Sequence, residues 1–234
     1  MKPIFPPLAS LLFIGIVIFI FLAIVQALVV ALKGIRHPNY TSVLYIVILS
    51  MLTWLAGTMV MAHRGFFADF VSFPPKVMLV LVVPLILTVI LMLNKSFKEL
   101  VDEISPKALI YVQTFRVLVE IVLWLLFKDA ICPEQMTFEG WNFDILAGVS
   151  APIVGYLAFG KGRNNKRLAI VWNFVGIALL LTIITTAILS IPQISIFKPW
   201  NTFIAYWPMI WLPAFVAPFA LFVHLISLRQ LFSR

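Results

Sequence analysis

Seven apolar runs, each close to the ~20 residues an α-helix needs to cross a bilayer, leave little room in this chain for anything else. They lie at roughly 8–32, 42–62, 77–93, 108–127, 143–159, 168–191 and 206–228. Hydrocarbon offers a backbone no hydrogen-bond partners, and an α-helix satisfies its own N–H and C=O groups within one segment. Composition points the same way: 63% of the residues are hydrophobic and 11% charged, against about 45–50% and about 25% in soluble domains. The sequence therefore predicts an all-α polytopic transmembrane bundle of about seven helices, a single domain over residues 1–234. The third and fifth runs, at roughly 17 residues, sit at the short end of the spanning range.

The formal net charge of +8 raises nucleic acid as a partner. The basic residues, however, occupy short loops between apolar runs, where Lys and Arg act as topology signals. With the N-terminus outside, eleven of them fall inside: Lys33, Arg36, Lys95, Lys98, Lys107, Lys161, Arg163, Lys166, Arg167, Arg229 and Arg234. Five fall outside: Lys2, Arg64, Lys76, Lys128 and Lys198. This imbalance predicts the N-terminus outside and the C-terminus inside, in a multi-pass protein of the bacterial cytoplasmic membrane. The first run is too long for the apolar core of a signal peptide and is expected to be retained. The single Cys132 excludes an internal disulfide. The expected partners are membrane lipids and not nucleic acid, with a homo-oligomer or a membrane-complex partner left open.

Two loops carry further pattern. Between residues 94 and 107, Ser96 followed by Glu99 reads as a capping box. Phe97, Leu100, Val101 and Ile104 then recur at helical spacing opposite Lys98, Asp102 and Glu103, which predicts a short amphipathic helix on the inner membrane surface. Ser105-Pro106 supplies an N-cap and a first-turn proline for the fourth span. The loop from His63 to Lys76 sets Phe66, Phe67, Phe70 and Phe73 beside two prolines, a composition suited to anchoring at the outer interface.

Chemistry is sought where polar groups cost most. In the fourth span Gln113, Arg116, Glu120 and Trp124 project from one face at i, i+3, i+7 and i+11. A charge at the bilayer centre costs about 2.5–3.5 kcal/mol on insertion scales, so Arg116 must face the bundle interior and find a partner. Glu120, one turn on, is the partner within reach on the same helix. Such a pair either locks helix packing or forms a buried site for an anionic group, a proton or a polar head group. In the fifth span Asp144 opens a face continued by the small residues Gly148, Ala151 and Gly155, which marks close packing against another helix. Asp144 points into the bundle or caps its own helix. The expected binding residues are thus Gln113, Arg116, Glu120 and Asp144, closed in by the second, sixth and seventh spans. No catalytic residue and no metal ligand is assigned.

The remaining polar residues are thinly spread. Ser50, Thr53, Trp54 and Gly57 share a face of the second span, and Asn173 and Gly176 one of the sixth. His224 is placed in the inner third of the seventh span, whose Pro208, Pro213 and Pro218 predict kinking. Seven spans in this length match the size and topology of a microbial rhodopsin, but no Lys lies within any span, which excludes a retinal Schiff base and leaves no cofactor expected. His37, His63 and His224 fall too far apart along the membrane normal to share a zinc ion.

The stretches Gln113-Thr-Phe-Arg116…Glu120 and Asn142-Phe-Asp144-Ile-Leu-Ala-Gly148 resemble uncharacterised seven-helix membrane proteins of bacteria over the fourth to sixth spans. The resemblance implies no activity and points to the same polar residues. Transport or permeation of a small solute or proton is the leading expectation, with Arg116 holding an anionic group and Glu120 exchanging protons. A sensor or non-catalytic membrane subunit, and a lipid-modifying enzyme using Glu120 or Asp144 as acid or base, stand as alternatives.

Overall fold

The computed structural model describes residues 2–233, so Arg234, counted above among the inner basic residues, lies outside the described residues. Its helices are α1 (Pro7–Gly34), α2 (Tyr40–His63), α3 (Val77–Leu93), α4 (Lys95–Asp102), α5 (Pro106–Tyr111), α6 (Phe115–Lys128), α7 (Ile145–Phe159), α8 (Lys166–Leu189) and α9 (Ala217–Ser233). A 3-10 turn, Val112–Thr114, joins α5 to α6, and a π-helical turn, Leu212–Val216, leads into α9. The described residues form no strand. Five helices are long and apolar enough to cross a membrane, and α3 with α4 makes a sixth if that bent pair is one span. Large apolar side chains such as Leu11, Leu22, Ile46, Ile86 and Val171 stand on the outer surface, more than half exposed.

Hydrogen bonds identify the two ends of the bundle. At one end Gln193 donates to the carbonyls of Asp69 and Ser72 (2.9 and 3.3 Å), and Gln135 to that of Pro199 (2.8 Å). The loops 64–76, 129–144 and 190–211 therefore meet there. At the other end Gln230 donates to the carbonyls of Val101 and Ile104 (2.8 and 2.7 Å), and Arg229 to that of Asn94 (2.8 Å), which ties α9 to α4. Within the loop end Asp69 accepts from Ser72 and pairs with Lys76 at 2.6 Å. The Lys76 ammonium, with the Ser72 hydroxyl, holds the Asp69 carboxyl well below the usual carboxylate range. Of the loop's phenylalanines, Phe67 is buried while Phe73 stays exposed.

The amphipathic helix between the third and fourth spans is present as α4, bent 87° from α3, with Val101 buried and Phe97 against Phe222. Its cap differs from the expected one. Asn94, not Ser96, accepts from the Phe97 N–H at 3.0 Å, which starts the helix early enough to put Ser96 inside its first turn. Ser105 makes no side-chain cap, although Pro106 does begin α5.

Two spans differ from the sequence reading. The fifth, α7, has 15 residues, or about 22 Å of helix, short of the ~30 Å hydrocarbon layer. Met136, Thr137 and Asn142 of the preceding loop are buried, an irregular backbone held inside protein. The seventh run does not begin a helix at 206. Pro208 and Pro213 withhold N–H groups, so regular α9 starts only after the π-helical turn and runs on to Ser233. Pro218 would otherwise orphan the Ala214 carbonyl one turn back; Trp54 of α2 donates its indole N–H to it at 2.9 Å. Trp211 returns the contact by donating to Leu55 O at 3.1 Å.

Candidate functional site

Gln113, Arg116, Glu120 and Asp144 are all at most 5% exposed and lie in one region of the bundle, but they are wired differently from the sequence expectation. Arg116 does not pair with Glu120. Its Nε donates to Asp144 Oδ2 at 2.7 Å, and its Nη2 to Asp144 Oδ1, a bidentate ion pair between α6 and the head of α7. Nη1 meets His224 Nε2 of α9 at 2.8 Å and Nη2 the Gly176 carbonyl of α8 at 3.3 Å. One guanidinium thus joins four helices, and little donor capacity is left for an anionic ligand.

Two glycines make this approach geometrically available. A Cβ on Gly148 would stand 2.8 Å from the backbone N of Val117, so only glycine lets α7 come this close to α6 beside Arg116. A Cβ on Gly176 would fall 2.6 Å from His224 Nε2, in the space the imidazole uses to reach Arg116. The small-residue stripe also packs as expected further along, with Gly155 against Tyr111 of α5.

The rest of the network follows from donor logic. Arg116 can only donate, so His224 Nε2 accepts, Nδ1 carries the proton, and it donates to Asn173 Oδ1 at 2.9 Å. Asn173 passes its own N–H groups to Ala169 O and Ser227 Oγ. On the loop side, Asn142 Oδ1 accepts the Asp144 backbone N–H at 3.0 Å, and Asn142 Nδ2 lies 2.7 Å from both oxygens of Glu120 and 3.0 Å from Met136 O. Asp144 therefore does not cap α7 with its side chain; Asn142 turns the chain there and frees the carboxylate for Arg116.

Glu120 is left with Asn142 and makes no ion pair among the described residues. It borders a cavity of about 90 Å³ that Arg116 and Asp144 also line, with Leu81, Leu180, Ile184 and Val216 among the apolar walls. That is room for several waters. Met78 of α3, Ile183, Ile184, Ala187 and Ile188 of α8, and Leu212 and Pro213 of the π-helical turn line it while only half-buried, and α3 and α8 share little contact. The second span was expected to close the site; α2 lines none of it, and α3 takes that place.

Two residues of the expected polar face, Gln113 and Trp124, stand apart from the cavity. Gln113 donates to Ala220 O at 2.9 Å and braces α9 from behind, its Oε1 without a partner among the described residues. Trp124 leaves the polar face and donates to Glu139 at 2.6 Å in the loop beyond. Lys128, with that indole, holds the Glu139 carboxyl below its ordinary value. His224, Asn173 and Asn142 belong to the network without having been assigned to it. No group of three His, Cys, Asp or Glu side chains among the described residues could hold a metal ion.

A family model described as Domain of unknown function (DUF8737) matches residues 73–232, a stretch that contains the whole Arg116 network and every residue that lines the cavity. No curated protein matches the chain, and no solved structure does.

Proposed function

We propose that this chain, which belongs to the DUF8737 family, is a seven-span protein of the bacterial cytoplasmic membrane that moves a proton or small solute through the Glu120 site. The orientation proposed has the loop end outside, as the distribution of Lys and Arg favours. The observation that carries the reading is the arrangement of charge around the cavity. One guanidinium and two carboxyls line it; Arg116 is committed to Asp144, and Glu120 borders the cavity without a cation among the described residues. A single proton or cation taken up at Glu120 neutralises the cluster. Transporter sites often sit beside interrupted helices, and here the π-helical turn with Pro213 forms one wall.

The sequence reading gave Arg116 the role of anion holder; its saturation by Asp144, His224 and Gly176 favours a structural role. An enzyme using Asp144 as acid or base has little support for the same reason. The subunit alternative draws on α2, whose Leu49, Ser50, Thr53 and Gly57 line an open groove away from the bundle.

The test is proton flux in liposomes with an imposed pH gradient and an internal pH dye. Wild-type protein should dissipate the gradient faster than Glu120→Gln of matched folding and orientation. Equal rates, at or above the protein-free leak, would remove proton transport through Glu120 from the reading.

A further inference from the structure

We infer that the cavity is a binding site for slim amphipathic cations: a primary ammonium on an unbranched apolar chain, entering from the bilayer between α3 and α8. The inference rests on the Glu120 site proposed above and names the class of molecule it takes.

Charge selects the head. Arg116 and Asp144 cancel through two hydrogen bonds, so the carboxyl left over is Glu120, buried and bound only by Asn142. An ammonium brought to Glu120 completes a second ion pair in a water-poor setting. A carboxylate or sulfonate brought there would add a further negative charge beside Glu120, with little guanidinium donor capacity left to receive it. Phe115 adds an aromatic wall, and aromatic faces attract cations.

Shape selects the body. The enclosed space, about 90 Å³, is smaller than the ~150 Å³ apolar cavity that holds benzene. A bulky or multiply branched cation does not fit, whereas –CH2–NH3+ does. The walls leading away from Glu120 are aliphatic, Leu180 and Ile184 on one side and Val216 on another. Half-buried side chains of α3, α8 and the π-helical turn belong to this lining, whereas its loop-end residues Met136, Ile191 and Ile204 are buried. A methylene chain continuing from the head thus leaves the protein among lipid tails, and the mouth admits it from the same place.

The test uses the full chain in phosphatidylcholine nanodiscs, titrated calorimetrically with n-octylammonium, n-octanol and n-octanesulfonate and corrected with empty discs. Octylammonium should bind saturably, Glu120→Gln should weaken it at least about tenfold, and the sulfonate should show no saturable binding. Ile184→Trp, which fills the mouth and leaves Glu120 intact, should weaken it likewise. Equal binding of octanol and octylammonium, or unchanged binding in Glu120→Gln of wild-type stability, overturns the inference. The proton-flux assay is independent of it: flux without ammonium binding refutes this ligand class alone, and ammonium binding without flux refutes transport alone.

Discussion

Asp144→Asn removes the charge that balances Arg116 while preserving shape, and its cost can be reasoned from the contacts. The guanidinium is 1% exposed and, once the carboxylate is gone, keeps His224 Nε2, a 3.3 Å contact to Gly176 O and one neutral amide oxygen, while the amide NH2 faces its other donor. Breaking a buried pair by removing one partner costs about 3–5 kcal/mol. For a chain of this length each kcal/mol moves the melting temperature by about 2–4 °C, so a loss of about 6–20 °C is expected. Arg116→Met should lose a similar amount. The double variant Arg116→Met/Asp144→Leu should recover much of it, because no uncompensated charge remains. The same cycle with Glu120→Gln should give little coupling, since Glu120 bonds Asn142 and not Arg116. Melting in detergent, followed for all single and double variants, decides the matter. Additive losses for Arg116 and Asp144, or strong coupling between Arg116 and Glu120, would refute the wiring described here.

Trp54→Phe strands the Ala214 carbonyl that Pro218 leaves free and should cost about 1–3 kcal/mol; adding Pro218→Ala restores an N–H and should recover part of the loss in the same melting assay. Gly148→Val drives a side chain into Val117, forcing α7 off α6, and should destabilise the protein no less than Asp144→Asn does. Cysteine at Ser72, in a Cys132-free background, should react with an impermeant maleimide on intact cells while cysteine at Asn164 should not; the reverse pattern would invert the proposed orientation. The native Cys132 should be a poor target in any case, since it is buried and burial pushes its thiol up.

The helices were legible because apolar runs and small-residue stripes are local patterns. The α4 amphipathic turn and the Gly148-Ala151-Gly155 seam were readable in the same way. What could not be read was which partner Arg116 chooses. Glu120 lies at i+4 and is visible in one dimension. Asp144 and His224 reach Arg116 only through the register of α7 and α9 against α6, which the glycines and prolines set. His224 was placed near the inner face because the seventh run was expected to start at 206. With Pro208 and Pro213 delaying the helix, residue 224 falls near the middle of the Leu212–Ser233 span, level with Arg116. The cavity was missed on α3 for a different reason: its walls there are Val, Met and Leu, which carry no signal that separates a lining residue from a lipid-facing one.

The central claim is that Glu120 alone presents an unpaired carboxyl to a cavity reached from the bilayer. Diethylcarbodiimide tests it directly, because this slim, apolar reagent partitions into the membrane and adds to protonated carboxyl groups there, converting them to N-acylureas. After treatment in nanodiscs, peptide mapping by mass spectrometry should find the adduct on Glu120 and not on Asp144, and Ile184→Trp should slow its formation. Modification of Asp144 in preference to Glu120, or an unmodified Glu120 in the folded wild-type protein, would contradict the account.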